Sequence, residues 1–409
     1  MQEYDVVIAG AGPAGGQCAR ELSNKGYRVF LADRAKSFEE NNYSSGGAPK
    51  ETMTDFDLPE EVVGTYWTVL NVQSTKEKST WESPSPFGPI FDFDKLRAFL
   101  AKKTIEQGGA FRLGCHYQSH ETHSHSTIVH FKDLATNEIF SLQTKVLVDA
   151  TGTERKVLSS HHPYDKNQAM AATGIEYHVQ VSPAVYHQFA KSLNFFLGHH
   201  WMPQGYAWIF PMASPCLKIG VIRYFQNYNY VNYEPSYKFY LEQLLQFCGS
   251  PDAYQILDKH GKTIYYTLGQ KDLRYQGPIL AIGDAISSIN PLGCEGIRHA
   301  LASGREAAFH IQRYLKGDIS NFIDFDRSMN RYFGKKWLFS EMLMKSLFKT
   351  KQDERIDQSV KAFGLMSNEE IMDVIFHYRF RHTLKSYFWY SIARLKYLLG
   401  WRENYERMR

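Results

Sequence analysis

Disulfide spacing is the first thing missing from this chain. Its five cysteines, Cys18, Cys115, Cys216, Cys248 and Cys294, make an odd count with no Cys-x-x-Cys pair, which argues against a disulfide framework and for a reducing, cytoplasmic setting. The N-terminus has no charged stretch leading into an apolar segment, so no secretory leader is expected. No apolar run approaches the ~18 residues of a bilayer-spanning helix. Strong net charge is lacking as well, because an excess of +4 is too small to imply a nucleic-acid partner. Internal repeats and low-complexity linkers are absent, which excludes solenoids and arrays.

What is present is a 409-residue chain with 43% hydrophobic residues, enough for two or three domains and a substantial core. Aromatic residues make up 15%, with 26 Tyr and 27 Phe, a load that suits a large apolar pocket or a membrane-facing surface. The charge excess is concentrated. Residues 382–409 carry six Lys or Arg against Glu403 and Glu406, and six minus two equals the +4 of the whole chain.

The chain opens with YDVVIAGAGPAGGQCARELSNKGYRVFLADR. The pattern predicts a buried strand at 6–9, a turn built on Gly10, Gly12 and Gly15, a helix at 15–25 ended by Gly26, and a strand at 28–32 that delivers Asp33. Gly12 lets backbone approach a pyrophosphate, the helix start offers free N–H groups, and Asp33 can accept from a ribose diol. Near the other end stands GPILAIGDAISSINPLGCEGIRHALASGREAA. It predicts a strand at 279–282 ending in Gly283-Asp284, a loop with Pro291, Gly293 and Gly296, and a helix from 297 through 308. A second acid and a second open helix start give the same sheet another anchoring point, although Asp284 can also be read as a helix cap.

The opening fingerprint, VDATG at 148–152 and the Gly-Asp turn with NPLGCEGI together resemble the FAD-dependent family that includes p-hydroxybenzoate hydroxylase. The resemblance is strongest to its geranylgeranyl reductase branch, over roughly the first 330 residues. It implies an α/β protein: a Rossmann-type FAD-binding domain at 1–160 plus 270–330, an inserted and mainly antiparallel β-sheet substrate domain at 161–269 with part of 45–90, and a C-terminal helical region at 331–409. It further implies FAD contacts at Gly10, Gly12, Ala14 and Gly15, at Asp33 and Arg34, at Ser45, Gly46 and Ala48, and at Arg97 and Gly152. Asp284 is placed on the ribityl chain, with Pro291, Gly293, Gly296 and Ile297 beyond it. The N–H groups of Gly296 and Ile297 then face the flavin N1/O2 edge, where a helix start stabilises the reduced, negatively charged state.

Two departures from the family stand out. SSGGAPKETMTDFDLP at 44–59 matches its Cys-Gly-Gly-Ala…Phe-Asp-Leu-Pro segment, except that Ser45 replaces the cysteine associated with proton delivery, and serine is a much weaker acid. Phe93 replaces an arginine at the start of the helix in FDFDKLRAFLAKK, with Arg97 four residues on and so on the same face. Cys294, beside the flavin-facing glycines, is a second proton-donor candidate, although buried unpaired cysteines commonly only pack.

In MPQGYAWIFP at 202–211 three rings alternate, so Tyr206, Trp208 and Phe210 share one strand face, either core or cavity wall. The reductase branch carries Pro-x-x-Tyr-x-Trp-x-Phe-Pro, matched here from Pro203 to Pro211, which implies a substrate-binding wall in which Tyr206 and Trp208 also serve catalysis. Flavin halogenases carry Trp-x-Trp-x-Ile-Pro, from which Tyr206 and Phe210 depart.

The histidines 116, 120, 123, 125 and 130 read as an exposed hairpin rather than a metal site. No second dinucleotide fingerprint is present, so NADPH must visit a shared site, or ferredoxin or another protein supplies electrons. The tail SYFWYSIARLKYLLGWRENYERMR reads either as a docked terminal helix or as an interfacial helix on anionic lipid, giving a cytoplasmic protein peripheral on a membrane surface. The expected function is reduction of carbon–carbon double bonds in a long hydrophobic isoprenoid. The rivals are a flavin monooxygenase or halogenase acting on an aromatic ring, a lycopene cyclase-like reduced-flavin enzyme, and a membrane-docked flavoprotein that only binds.

Overall fold

The computed structural model describes residues 1–41, 44–158, 169–226, 235–249, 253–348 and 352–381. The basic aromatic tail at 382–409 lies outside the described residues.

Val6, Val7 and Ile8 are fully buried, as an apolar run must be when both faces of a strand are covered. Strand Gln2–Ala9 pairs in parallel with Val29–Ala32 and with Ile139–Asp149. The sheet continues through Ala110–Arg112 on one side and through Ile279–Ala281 and Tyr275–Gln276 on the other. The histidine-rich segment forms the hairpin Cys115–Thr122 and Thr127–Asp133, joined to Ile139–Asp149. The first helix, Pro13–Ser23, starts two residues earlier than the sequence pattern implied. Gly12 is its N-cap, and the fixed φ of Pro13 suits the first turn.

Helix Ile297–Leu315 crosses this first helix. A Cβ on Gly304 would lie 2.2 Å from the Ala14 carbonyl oxygen, so the crossing is a backbone-to-backbone approach that only glycine permits. Both helices therefore aim their N-termini from one layer of the sheet.

The second sheet runs in the order Tyr254–Thr267, Ala169–Val181, Cys216–Gln226, Gly205–Pro211, Ser192–Leu197, Val69–Gln73, Lys78–Glu82, and all its pairings are antiparallel except Ser192–Leu197 with Val69–Gln73. One face is an apolar core: Val179, Ala207, Ile209, Leu217, Ile219 and Val221 pack with Val185 and Phe189 of helix Pro183–Phe189 and with Leu241, Leu244 and Leu245 of helix Tyr237–Cys248. The opposite face looks toward the dinucleotide-type layer.

Helices Ile323–Phe348, Asp353–Phe363 and Asn368–Ile375 close the far end. The first of them is broken at Gly334, whose φ of 40° and ψ of −136° leave helical space. The second is tied to the sheet edge, where Ser74 Oγ donates to Asp357 at 2.6 Å and Ser79 Oγ to the Val360 carbonyl at 2.9 Å. The architecture is thus α/β, with a Rossmann-type layer, a mainly antiparallel sheet and a C-terminal helical cap.

Candidate active site

One cavity of about 440 Å³ lies between the two sheets, a size typical of cofactor and ligand sites at roughly 300–1,000 Å³. Its polar end is made by the opening turn. Gly10 has φ +114°, and a Cβ there would sit 2.1 Å from the Ala150 carbonyl oxygen. A Cβ on Gly15 would sit 1.9 Å from the carbonyl oxygen of Gly10. These glycines hold the turn tight, and Gly15 itself is not on the cavity wall.

Gly12 differs, for it lines the cavity and nothing lies within 4 Å of where its Cβ would be. The helix behind it has no side-chain cap, so its first N–H groups are open to an anion. Ala14 is on the wall beside it, and so are Asp33 and Arg34 at the end of Val29–Ala32. The Asp33 carboxylate accepts from Ala11 N–H at 2.7 Å and from Ala35 N–H at 2.9 Å, bracing the turn, and Arg34 pairs with Glu154.

The second anchor is arranged in the same way. Asp284 lines the cavity and accepts from Ser288 Oγ at 3.0 Å. Burial raises its carboxyl pKa, against the opposing pull of the Ser288 hydrogen bond and of Lys262 and Arg155. Gly293, Gly296 and Ile297 are on the wall, and helix Ile297–Leu315 starts at Gly296 without a side-chain cap. Gly152 lines it too, whereas Pro291 is buried off the wall.

Two bare helix starts, a glycine open to the cavity and two carboxylates on one wall fit an extended dinucleotide such as FAD.

The Ser44 to Gly47 segment forms another side. Gly46 has φ +83°, and a Cβ there would meet the Phe91 carbonyl oxygen at 2.5 Å. Ser45 faces the cavity, and the carbonyl of Ser44 accepts from Lys218 Nζ. Ala48 does not join them. It packs in a core with Phe56, Phe91 and Leu96, and its carbonyl accepts from Trp67 Nε1 at 3.3 Å. Arg97 and Phe93 share a face and both line the cavity, with the Arg97 guanidinium 4.8 Å from the Phe93 ring centre, 5.2 Å from that of Phe38, and donating to the Phe38 carbonyl.

The apolar end begins at Gly205–Pro211, every residue of which is buried. Tyr206, Trp208 and Phe210 line the cavity while Ala207 and Ile209 enter the opposite core. The strand is therefore wall on one face and core on the other. Tyr206 donates to the Gly293 carbonyl at 2.9 Å, linking this wall to the second anchor. Cys294, with φ +52°, places Sγ 3.1 Å from Tyr224 Oη. Burial pushes its thiol pKa up to about 11, so it stays neutral and is a weaker acid than a free thiol.

Three groups of wall residues carry no signal in the linear sequence. Leu343, Leu347 and Phe348 come from the half of the broken helix beyond Gly334, and Phe363, Ile371 and Phe376 from the helices after it. Leu193, Phe195 and Leu197 extend the ring wall, with Phe195 and Phe210 5.2 Å apart edge to face. Glu176 and His260 add an ionisable pair, 3.1 Å apart, to this surface. Only the register of distant strands brings Glu176 and His260 together.

The family model described as lycopene cyclase protein matches residues 5–187. A digeranylgeranylglycerophospholipid reductase of Haloferax volcanii is 28% identical over 328 residues, 76% of each chain. A geranylgeranyl diphosphate reductase of Rhodobacter capsulatus is 26% identical over 328 residues, 77% of this chain and 76% of that one. Among solved structures, a geranylgeranyl bacteriochlorophyll reductase-like protein from Thermoplasma acidophilum superposes with a TM-score of 0.79 at 18% identity, covering 90% of this chain and 93% of that one. The chain is geranylgeranyl reductase-like. It is an FAD-dependent oxidoreductase. The same fold extends to a myxobacterial chondrochloren halogenase, with a TM-score of 0.67, 14% identity and coverage of 92% of both chains. Among the described residues of this geranylgeranyl reductase-like chain, no helix is long and apolar enough to cross a membrane.

Proposed function

We propose that this chain reduces carbon–carbon double bonds of a long isoprenoid. The observation that carries the reading is the continuity of one cavity from the Gly12 and Asp284 anchors to the apolar wall of Tyr206, Trp208, Phe210 and the C-terminal helices. A bound FAD would supply the two-electron hydride chemistry that no side chain can.

The chain's own residues do the rest. Gly12, Ala14, Asp33 and Asp284 hold the dinucleotide. The open start of Ile297–Leu315 offers backbone N–H groups and partial positive charge, which favour an anionic reduced cofactor. Tyr206, Trp208 and Phe210 orient an extended alkene, and Leu343, Leu347 and Phe348 exclude water from it. Electrons come from outside, from NADPH visiting the same cavity or from a ferredoxin-like protein. The tail at 382–409 brings the protein to the membrane where such a lipid resides.

The test is anaerobic. Purified protein reduced with dithionite is mixed in turn with geranylgeranyl diphosphate and with a geranylgeranylated glycerophospholipid. Reoxidation of the flavin with a product two mass units heavier is the expected result. A halogenase or hydroxylase would instead need oxygen, and a cyclase-like enzyme would convert substrate with no net loss of electrons. Asp284→Ala should release FAD without unfolding, since a charge-assisted hydrogen bond is worth about 1.5–3 kcal/mol, on the order of 10–100-fold in affinity.

A further inference from the structure

Within the cavity's apolar half a single row of four residues crosses four strands. His260 pairs with Glu176, Glu176 with Gly220, and Gly220 with Trp208. Because the third position has no side chain, the indole of Trp208 lies over it, and a Cβ on Gly220 would fall 2.1 Å from the ring. The indole thereby reaches Glu176, with Nε1 donating to Oε2 at 2.8 Å. The other carboxylate oxygen, Oε1, is 3.1 Å from His260 Nε2. His260 Nδ1 is in turn 3.2 Å from Asp258 Oδ2, and that side chain is 61% exposed against 12% for His260 and 5% for Glu176. A hydrogen-bonded line thus runs from solvent, through imidazole and carboxylate, to a cavity wall.

We propose that Glu176 and His260 are the proton relay of this site, delivering from solvent the proton that completes saturation of the double bond. The inference rests on the reductase reading. Adding hydrogen across one C=C bond takes a hydride, which brings both electrons, and a proton. With the hydride supplied by bound cofactor, the chain must furnish the proton to the second carbon. The Nε2 proton of His260 passes to the Glu176 carboxylate and on to carbon, the transient carboxyl O–H breaking as that C–H bond forms from the former π pair, and the imidazole left behind recovers a proton from water between turnovers. Ser45 is too weak an acid for this role, and burial makes Cys294 a weaker acid than a free thiol.

The surroundings favour a carboxylate on Glu176 and a proton on His260. Burial alone would raise the Glu176 pKa, but Lys218, His260 and the Trp208 N–H together hold it below the ordinary carboxylate value. Burial would likewise lower that of His260, but Glu176 and Asp258 raise it. Among the described residues, Lys218 on Cys216–Gln226 and His178 on Ala169–Val181, whose imidazole is held low chiefly by burial, also act on the pair, and Lys262 lines the cavity two residues from His260. Lys218 also grips the Ser44 carbonyl, so the relay stands beside the segment that carries Ser45.

Two measurements test this. In single turnover of the reduced holoprotein with geranylgeranyl diphosphate, Glu176→Gln and His260→Gln should each slow flavin reoxidation by at least ~10²-fold, the ordinary reach of acid catalysis. Flavin content should be retained. Glu306→Gln, which disturbs a carboxylate–histidine pair outside the cavity, should react at the wild-type rate. In the resting oxidised holoprotein without substrate, the His260 imidazole followed by NMR should titrate about 1–3 pH units lower in Glu176→Gln than in wild type. Variants that melt earlier but keep full rate per folded holoprotein make the pair a structural brace, and a His260 titration indifferent to Glu176 breaks the line; either overturns the relay. If Glu176→Gln does not fold, His260→Gln carries the kinetic arm alone. A wild type that no isoprenoid reoxidises defeats the reductase reading instead, and the NMR arm still decides whether the pair shares a proton.

Discussion

Trp208 and Ile209 are neighbours in sequence with opposite duties. Ile209 is fully buried in the core shared with helix Tyr237–Cys248, so Ile209→Ala should cost about 2–5 kcal/mol and lower the melting temperature with turnover per folded molecule preserved. Trp208 faces the cavity, so Trp208→Ala should reverse the pattern, with modest loss in calorimetry and a large loss in flavin reoxidation. Glu295 tests another balance. Burial would raise its pKa, but Arg298 and His299 hold it down, at about 2. A carboxyl whose folded pKa is depressed stabilises the fold above its unfolded value and loses that contribution as pH falls through the folded one. Acid unfolding should therefore steepen below about pH 4.5, and Glu295→Gln should flatten that slope in denaturant titrations taken from pH 5 to 2.

At the scale of elements, the crossing of Pro13–Ser23 and Ile297–Leu315 fixes both helix starts that face the cavity. Gly304→Ala must push the two backbones apart, because the added methyl would stand 2.2 Å from the Ala14 oxygen. We expect a loss of at least about 1–3 kcal/mol, with FAD affinity falling alongside stability, read by denaturant unfolding and flavin titration. These two helices and their strands were legible in the sequence, since each fingerprint is contiguous and its glycines answer to local geometry. The alternating rings of 202–211 were legible for the same reason. Ala48 misled because its neighbours Ser45, Gly46 and Gly47 do line the cavity, whereas the chain turns into a core one residue later. The Glu176 and His260 pair was unreadable. Its partners are 84 residues apart in sequence and meet only through strand register, and no local pattern encodes register.

For the whole molecule, the question is how a lipid reaches an interior cavity. Burying a twenty-carbon chain at ~0.8 kcal/mol per CH₂ gives on the order of 16 kcal/mol as an upper bound, so free substrate is scarce in water and the protein must collect it from a surface. Truncation after Arg381 should leave flavin binding intact, abolish sedimentation with anionic vesicles at low salt, and slow reduction of vesicle-borne but not detergent-dispersed substrate. A truncated protein that still sediments would assign lipid contact to another surface, for which Leu338, Phe339 and Met342, exposed on helix Ile323–Phe348, are the place to look.

The break at Gly334 separates two obligations within that same helix. Before it, Phe325, Met329 and Phe333 are locked into the main core; after it, Leu343, Leu347 and Phe348 roof the cavity. The floor of the site is held by strand pairing and by glycines such as Gly10 and Gly15, whose added Cβ would strike backbone, so it can change little without loss of the fold. The roof is built from the segment beyond one bend and from the short helices after it. Descendants of such a chain can therefore be selected for longer, shorter or branched lipids by re-angling that roof, while the machinery beneath is inherited unaltered.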